Sequence, residues 1–121
     1  DWLCSNEEEL EKYLKDPLVK QNVSCGLFRE LLNGMIYSNS NKNIKNINKE
    51  IPILLISGKE DPVGNFSKGI ENLNKRYKKN GINNVSVKLY DGLRHDIFHE
   101  KNHNEIFEYI YNWIKTKCEE K

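Results

Sequence analysis

Residues 51–62 read Ile-Pro-Ile-Leu-Leu-Ile-Ser-Gly-Lys-Glu-Asp-Pro, and the fold turns on how this stretch is taken. Ile53 to Ile56 is a continuous apolar run stopped by Ser57 and Gly58, which predicts a short strand covered on both faces, as in a parallel sheet. Pro52 has no amide hydrogen to give to a ladder, so it fits only at the strand's start. Moving outward, residues 66–80 predict an amphipathic helix. Phe66, Gly69, Ile70, Leu73 and Tyr77 share one face, Lys75, Arg76, Lys78 and Lys79 lie outside, and Gly81 is placed to end it. Val85, Val87 and Leu89 then alternate with Ser86, Lys88 and Tyr90, the period of a second strand. A last helix over about 105–117 turns Ile106, Phe107, Ile110, Trp113 and Ile114 inward. Strand, helix, strand, helix is the order of one right-handed βαβ unit with a covering helix, so the predicted class is α/β.

Two helices precede this unit. In the first, over 5–15, Ser5 and Asn6 can cap, Glu7 to Glu9 suit the positive end of the helix dipole, and Asp16-Pro17 ends it. The second, over 24–37, sets Leu27, Phe28, Leu31, Leu32, Met35 and Ile36 at three- and four-residue spacing, a stripe wide enough to predict burial. Residues 38–50 are polar apart from Ile44 and Ile47 and predict a surface connection with one irregular turn.

With 121 residues, 37% hydrophobic and 31% charged, the chain is one domain at most. No run approaches the roughly 18 apolar residues of a membrane helix. A net charge of +1 argues against nucleic acid as the main partner. Cys4, Cys25 and Cys118 are odd in number and scattered, which fits reduced thiols in a cytosolic interior better than a disulfide framework or a zinc knuckle. The first residue is Asp1, so the natural start is expected upstream. Two parallel strands leave open edges and a half-covered core, and this too predicts that most of the sheet is missing.

In open α/β sheets the working residues sit in loops beyond the carboxyl ends of the strands. The first strand is followed by Ser57 to Gly64, which offers Asp61, and the second by Asp91 to Asp96, which offers His95. Neighbouring strands would bring these loops side by side and set an acid against a histidine. A competing motif follows directly. His99-Glu100-Lys101-Asn102-His103 matches H-E-x-x-H, the zinc-peptidase helix in which two histidines hold metal and the glutamate polarises water. Its middle positions are polar, and the places for the glycine and the third ligand hold Ile106 and Tyr109. The expectation is therefore no metal and no cofactor, with a zinc metallopeptidase kept as an alternative. A non-catalytic binding fragment, using the stripe from Leu27 to Ile36, is the other.

The run from Pro52 to Gly64, the amphipathic helix, then Val85 to His95 and a tryptophan-bearing last helix together resemble the end of an α/β-hydrolase. The resemblance is to the serine hydrolases that include monoacylglycerol lipases and lysophospholipases. Asp1-Trp2-Leu3, the acidic helix and Asp16-Pro17-Leu18 resemble the stretch where that group's chain leaves its cap. Asn65, Asp91 and Asp96 depart from the group's usual residues. The likeness implies that residues 1–121 are the C-terminal portion of one catalytic domain, with 1–50 a helical segment following the cap and 51–121 the last strand-helix-strand-helix unit. It also implies that Asp61 is the acid and His95 the general base of a Ser-His-Asp triad. The substrate is then a small lipid or other carboxylic ester, with peripheral contact at a membrane surface. None of the seven serines lies in a G-x-S-x-G elbow. Ser67 comes nearest, in Gly64-Asn65-Phe66-Ser67-Lys68-Gly69, but its first glycine is one residue too far away. The nucleophile is expected from a missing N-terminal half, and the fragment alone is expected to be inactive.

Overall fold

A computed structural model describes residues 1–19 and 22–119. In chain order the elements are α1 (Glu7–Lys15), α2 (Cys25–Ser38), α3 (Asn41–Ile44), β1 (Ile53–Gly58), α4 (Lys68–Lys79), β2 (Val85–Tyr90), a 3₁₀ turn (Ile97–His99) and α5 (His103–Glu119). β1 and β2 pair in parallel, from Ile53 opposite Val85 to Gly58 opposite Tyr90. Both strands therefore end at the same edge, and their following loops start side by side.

The alternation in β2 has a physical counterpart. Ser86 and Lys88 meet α5: the Trp113 indole N–H donates to Ser86 Oγ at 3.0 Å, and Lys88 Nζ lies 5.1 and 5.3 Å from the ring centroids of Tyr90 and Tyr109. α4 packs on the two strands. Its end is fixed as the sequence indicated: Gly81 takes φ +82°, its N–H donates to the Lys78 carbonyl, and the Ile82 N–H reaches back to Tyr77. This pair of bonds needs a left-handed residue that glycine adopts without strain, and it delivers Ile82 to full burial. Ile82, Ile44 and Ile106 are the most buried aliphatic side chains.

Three expectations are corrected. The helix after the first loop begins at Lys68, and Phe66 is not on its inner face. Asn65, Phe66 and Ser67 all have positive φ, a left-handed turn that brings the Phe66 N–H to the Asp61 carbonyl (2.8 Å) and the Gly69 N–H to that of Gly64 (2.9 Å), and it leaves Phe66 exposed. In α5, Ile106 is buried, but Phe107 and Ile114 are half-exposed, and Phe107 stacks on Phe98 with ring centroids 5.4 Å apart. The largest departure is α2, whose apolar stripe is open to solvent throughout, Leu27 at 60% and Ile36 at 71%. Its N-cap is sound, with Ser24 Oγ accepting from the Leu27 N–H, but no described element lies over the stripe. β1 is likewise open along one edge, since β2 is its one strand partner among the described residues. The polar connection contains the short α3, capped by Ser40 and anchored by buried Ile44. Among the described residues no helix is long and apolar enough to cross a membrane.

Candidate active site

The two loops are stitched together by backbone before any side chain is considered. The Lys59 N–H donates to the Tyr90 carbonyl at 2.8 Å and the Glu60 N–H to that of Leu93 at 2.9 Å. The approach is so close that a Cβ on Gly58 would lie 2.1 Å from the Leu93 carbonyl oxygen and 2.4 Å from that of Arg94. Glycine at the end of β1 is what lets the histidine loop pass beside it. Gly92, at φ +73°, turns that loop back across the strand ends.

Asp61 and His95 meet in this arrangement. Asp61 is 6% exposed, and its Oδ1 accepts the Val63 N–H at 2.8 Å, closing a turn of the kind aspartate forms before the chain bends. Oδ2 lies 3.1 Å from His95 Nδ1. A carboxylate can only accept, so Nδ1 carries the proton of this bond, and in the neutral ring the lone pair is on Nε2. The His95 side chain is 41% exposed, and among the described residues nothing is hydrogen-bonded to its Nε2. The Asp61 carboxylate is thus buried and oriented by the backbone, and the His95 ring is partly open to solvent. The Trp2 ring tilts over His95, with centroids 5.3 Å apart.

Sequence reasoning missed one residue of the site, Glu100, which is fully buried. Its carboxylate accepts the N–H of Ser5, the Ser5 hydroxyl and the N–H of Arg94. The signal lay in the H-E-x-x-H match, but the helix that the motif requires is absent. His99 is in the 3₁₀ turn, Glu100 is extended (φ −74°, ψ 159°), and His103 opens α5. The two histidines therefore do not share a helical face. His99 Nδ1 pairs with Asp96 Oδ2 at 2.8 Å and His103 Nδ1 with the Glu100 carbonyl at 2.9 Å. No group of three donors that could hold a metal ion occurs among the described residues.

Ser67 is not arranged as a nucleophile. It precedes α4 in a left-handed conformation, and its Oγ is buried without a partner in the described structure. Cys4 is the buried thiol, pushed above its ordinary pKa by burial, with the Asn6 carbonyl pulling the other way; Cys25 and Cys118 are exposed.

A parallel strand-helix-strand that delivers an acid and a histidine to one sheet edge defines the class, an α/β-hydrolase. The chain belongs to the family described as serine aminopeptidase, S33, which it matches over residues 1–102. Solved structures agree on the fold. A lipase in its open form has a TM-score of 0.84 and 25% identity, and the match covers 96% of this chain and 38% of that one. A thermostable carboxyl esterase from Bacillus coagulans has 0.82 and 24%, with the same coverage. A monoacylglycerol lipase from Paleococcus ferrophilus has 0.77 and 23%, covering 96% and 42%. The chain spans about two fifths of the length of these proteins. No curated protein matches it by sequence.

Proposed function

We propose that this chain is the acid-and-base portion, C-terminal in order, of a serine hydrolase that cleaves carboxylic esters of the lysophospholipid or monoacylglycerol kind. One observation carries the reading: a buried, backbone-oriented Asp61 holds His95 Nδ1 at 3.1 Å while the rest of the ring faces out. In this mechanism His95 Nε2 takes the proton of a serine hydroxyl as that oxygen attacks the ester carbonyl. It then returns the proton to the departing alkoxide, and in the second half it activates water against the acyl-serine. Asp61 stabilises the imidazolium formed at each step and keeps the tautomer correct.

The serine and the oxyanion donors come from outside residues 1–121 in this reading, because no serine hydroxyl among the described residues is bonded to His95. Residues 1–50 are then the segment that returns from the cap, and 51–121 the last unit of the core. The open face of α2 and the free edge of β1 are the surfaces such a remainder would cover. The three free thiols fit a reducing, cytosolic setting.

The test is complementation. The chain alone is expected to leave a p-nitrophenyl ester untouched, and joining it to a polypeptide that carries the serine elbow should give hydrolysis that His95→Ala abolishes. Activity of the joined protein that survives His95→Ala would sink the proposal. The family description favours one second reading, cleavage of amino-terminal peptide bonds by the same triad. An aminoacyl nitroanilide run beside the ester separates the two.

A further inference from the structure

We infer that Glu100 is a positioning residue whose buried carboxylate latches the N-terminal segment onto the histidine loop and thereby sets the orientation of His95. The inference rests on the reading of His95 as the base. His95 is held on both sides by its neighbours' backbone. The Arg94 N–H donates to Glu100 Oε1 at 3.1 Å, and the Asp96 N–H donates to the Leu3 carbonyl at 2.8 Å. The same Glu100 oxygens take the Ser5 N–H at 3.0 and 3.1 Å and the Ser5 hydroxyl at 2.5 Å. The Arg94 guanidinium closes the clasp from the other side by donating to the carbonyls of Asp1 and Cys4.

Segment 1–5 and residues 94–96 are thus one backbone unit, with a single buried side chain at its centre. Its product is the placement of Trp2, whose ring lies over His95 at 5.3 Å. A buried carboxylate with all its donors in place makes strong, charge-assisted bonds and so fixes both strands of the clasp. Both amides use the one oxygen Oε1, so a glutamine could still serve them, whereas a methionine of similar length removes both carboxylate oxygens and leaves the Ser5 and Arg94 N–H groups without their acceptor. Glu100→Met therefore keeps the length and removes the clasp.

The experiment is heteronuclear NMR of the 121-residue chain, reading three things: the His95 ring nitrogens, the Trp2–His95 cross-peak and the exchange of the Ser5 and Arg94 amides. In the unaltered chain His95 is expected as the Nδ1–H tautomer with a clear cross-peak. Glu100→Met should speed exchange of both amides by about tenfold or more, remove the cross-peak and turn the ring to a mixture of tautomers, with the helical dichroism unchanged. Ser5→Ala, which deletes only the hydroxyl bond, should give the same changes at smaller size, and it decides the matter if Glu100→Met does not fold. Unchanged ring signals and cross-peak in a folded Glu100→Met chain, or in Ser5→Ala if that chain does not fold, overturn the latch. Asp61→Asn keeps the two failures apart. It should lose the tautomer preference while the cross-peak and amide protection persist, and a chain that never shows the Nδ1–H tautomer fails at the acid–base pair and not at the latch.

Discussion

At Gly58 two backbones touch where no other residue fits, and the site depends on that contact as much as on its titrating groups. Gly58→Ala must push the Leu93–Arg94 carbonyls away, so it is expected to destabilise the chain by about 3 kcal/mol, at the upper end for forced overpacking. The midpoint of thermal unfolding by circular dichroism reads that loss. Asp61→Asn is the opposite kind of change. Its amide oxygen can still accept from the Val63 N–H, so stability should hardly move, while kcat of the completed hydrolase should fall about 10⁴-fold through the wrong histidine tautomer. A stopped assay on a chromogenic ester shows the difference. The thiols give a third expectation from burial alone: Cys25 and Cys118 should react promptly with a thiol reagent near neutral pH, and Cys4 should lag until the chain unfolds, because it is buried and its pKa is raised. Counting fast and slow equivalents checks it.

Among the elements, the two strands and the end of α4 were readable because each rests on a local signal: an uninterrupted apolar run, strict alternation, and a glycine where a left-handed residue closes a helix. Gly81→Ala should accordingly cost about 1 kcal/mol, measured by urea unfolding, since alanine must enter φ +82° with a Cβ. The start of α4 was not readable. Nothing in Asn65-Phe66-Ser67 announces three successive left-handed residues, and the spacing of Phe66 alone suggested one more helical turn. Glu100 was hidden for a related reason: a motif match carries spacing but not backbone conformation, and the extended residue at its centre sends the carboxylate to Ser5 and Arg94. Asp61 and His95 were legible because strand order alone places their loops together. Their meeting is long-range, unlike the Asp96–His99 pair, which any single turn could produce.

Across the whole molecule, amphipathicity tells which face of α2 wants cover but not what supplies it, and within these residues the stripe stays open. An exposed face of this kind beside an unpaired strand edge favours association. The isolated chain should bind a hydrophobic dye and self-associate. Replacing Leu31 and Ile36 by lysine should suppress both while shifting unfolding free energy by no more than about 0.5 kcal/mol, as for other exposed positions. Light scattering and denaturant curves on the same samples test the pair of statements. The parallel pairing of β1 and β2 has one more outcome. Because Asp61 and His95 hang from a single crossover, a graft of the strand-helix-strand with its two loops carries both residues of the 3.1 Å contact in one continuous stretch.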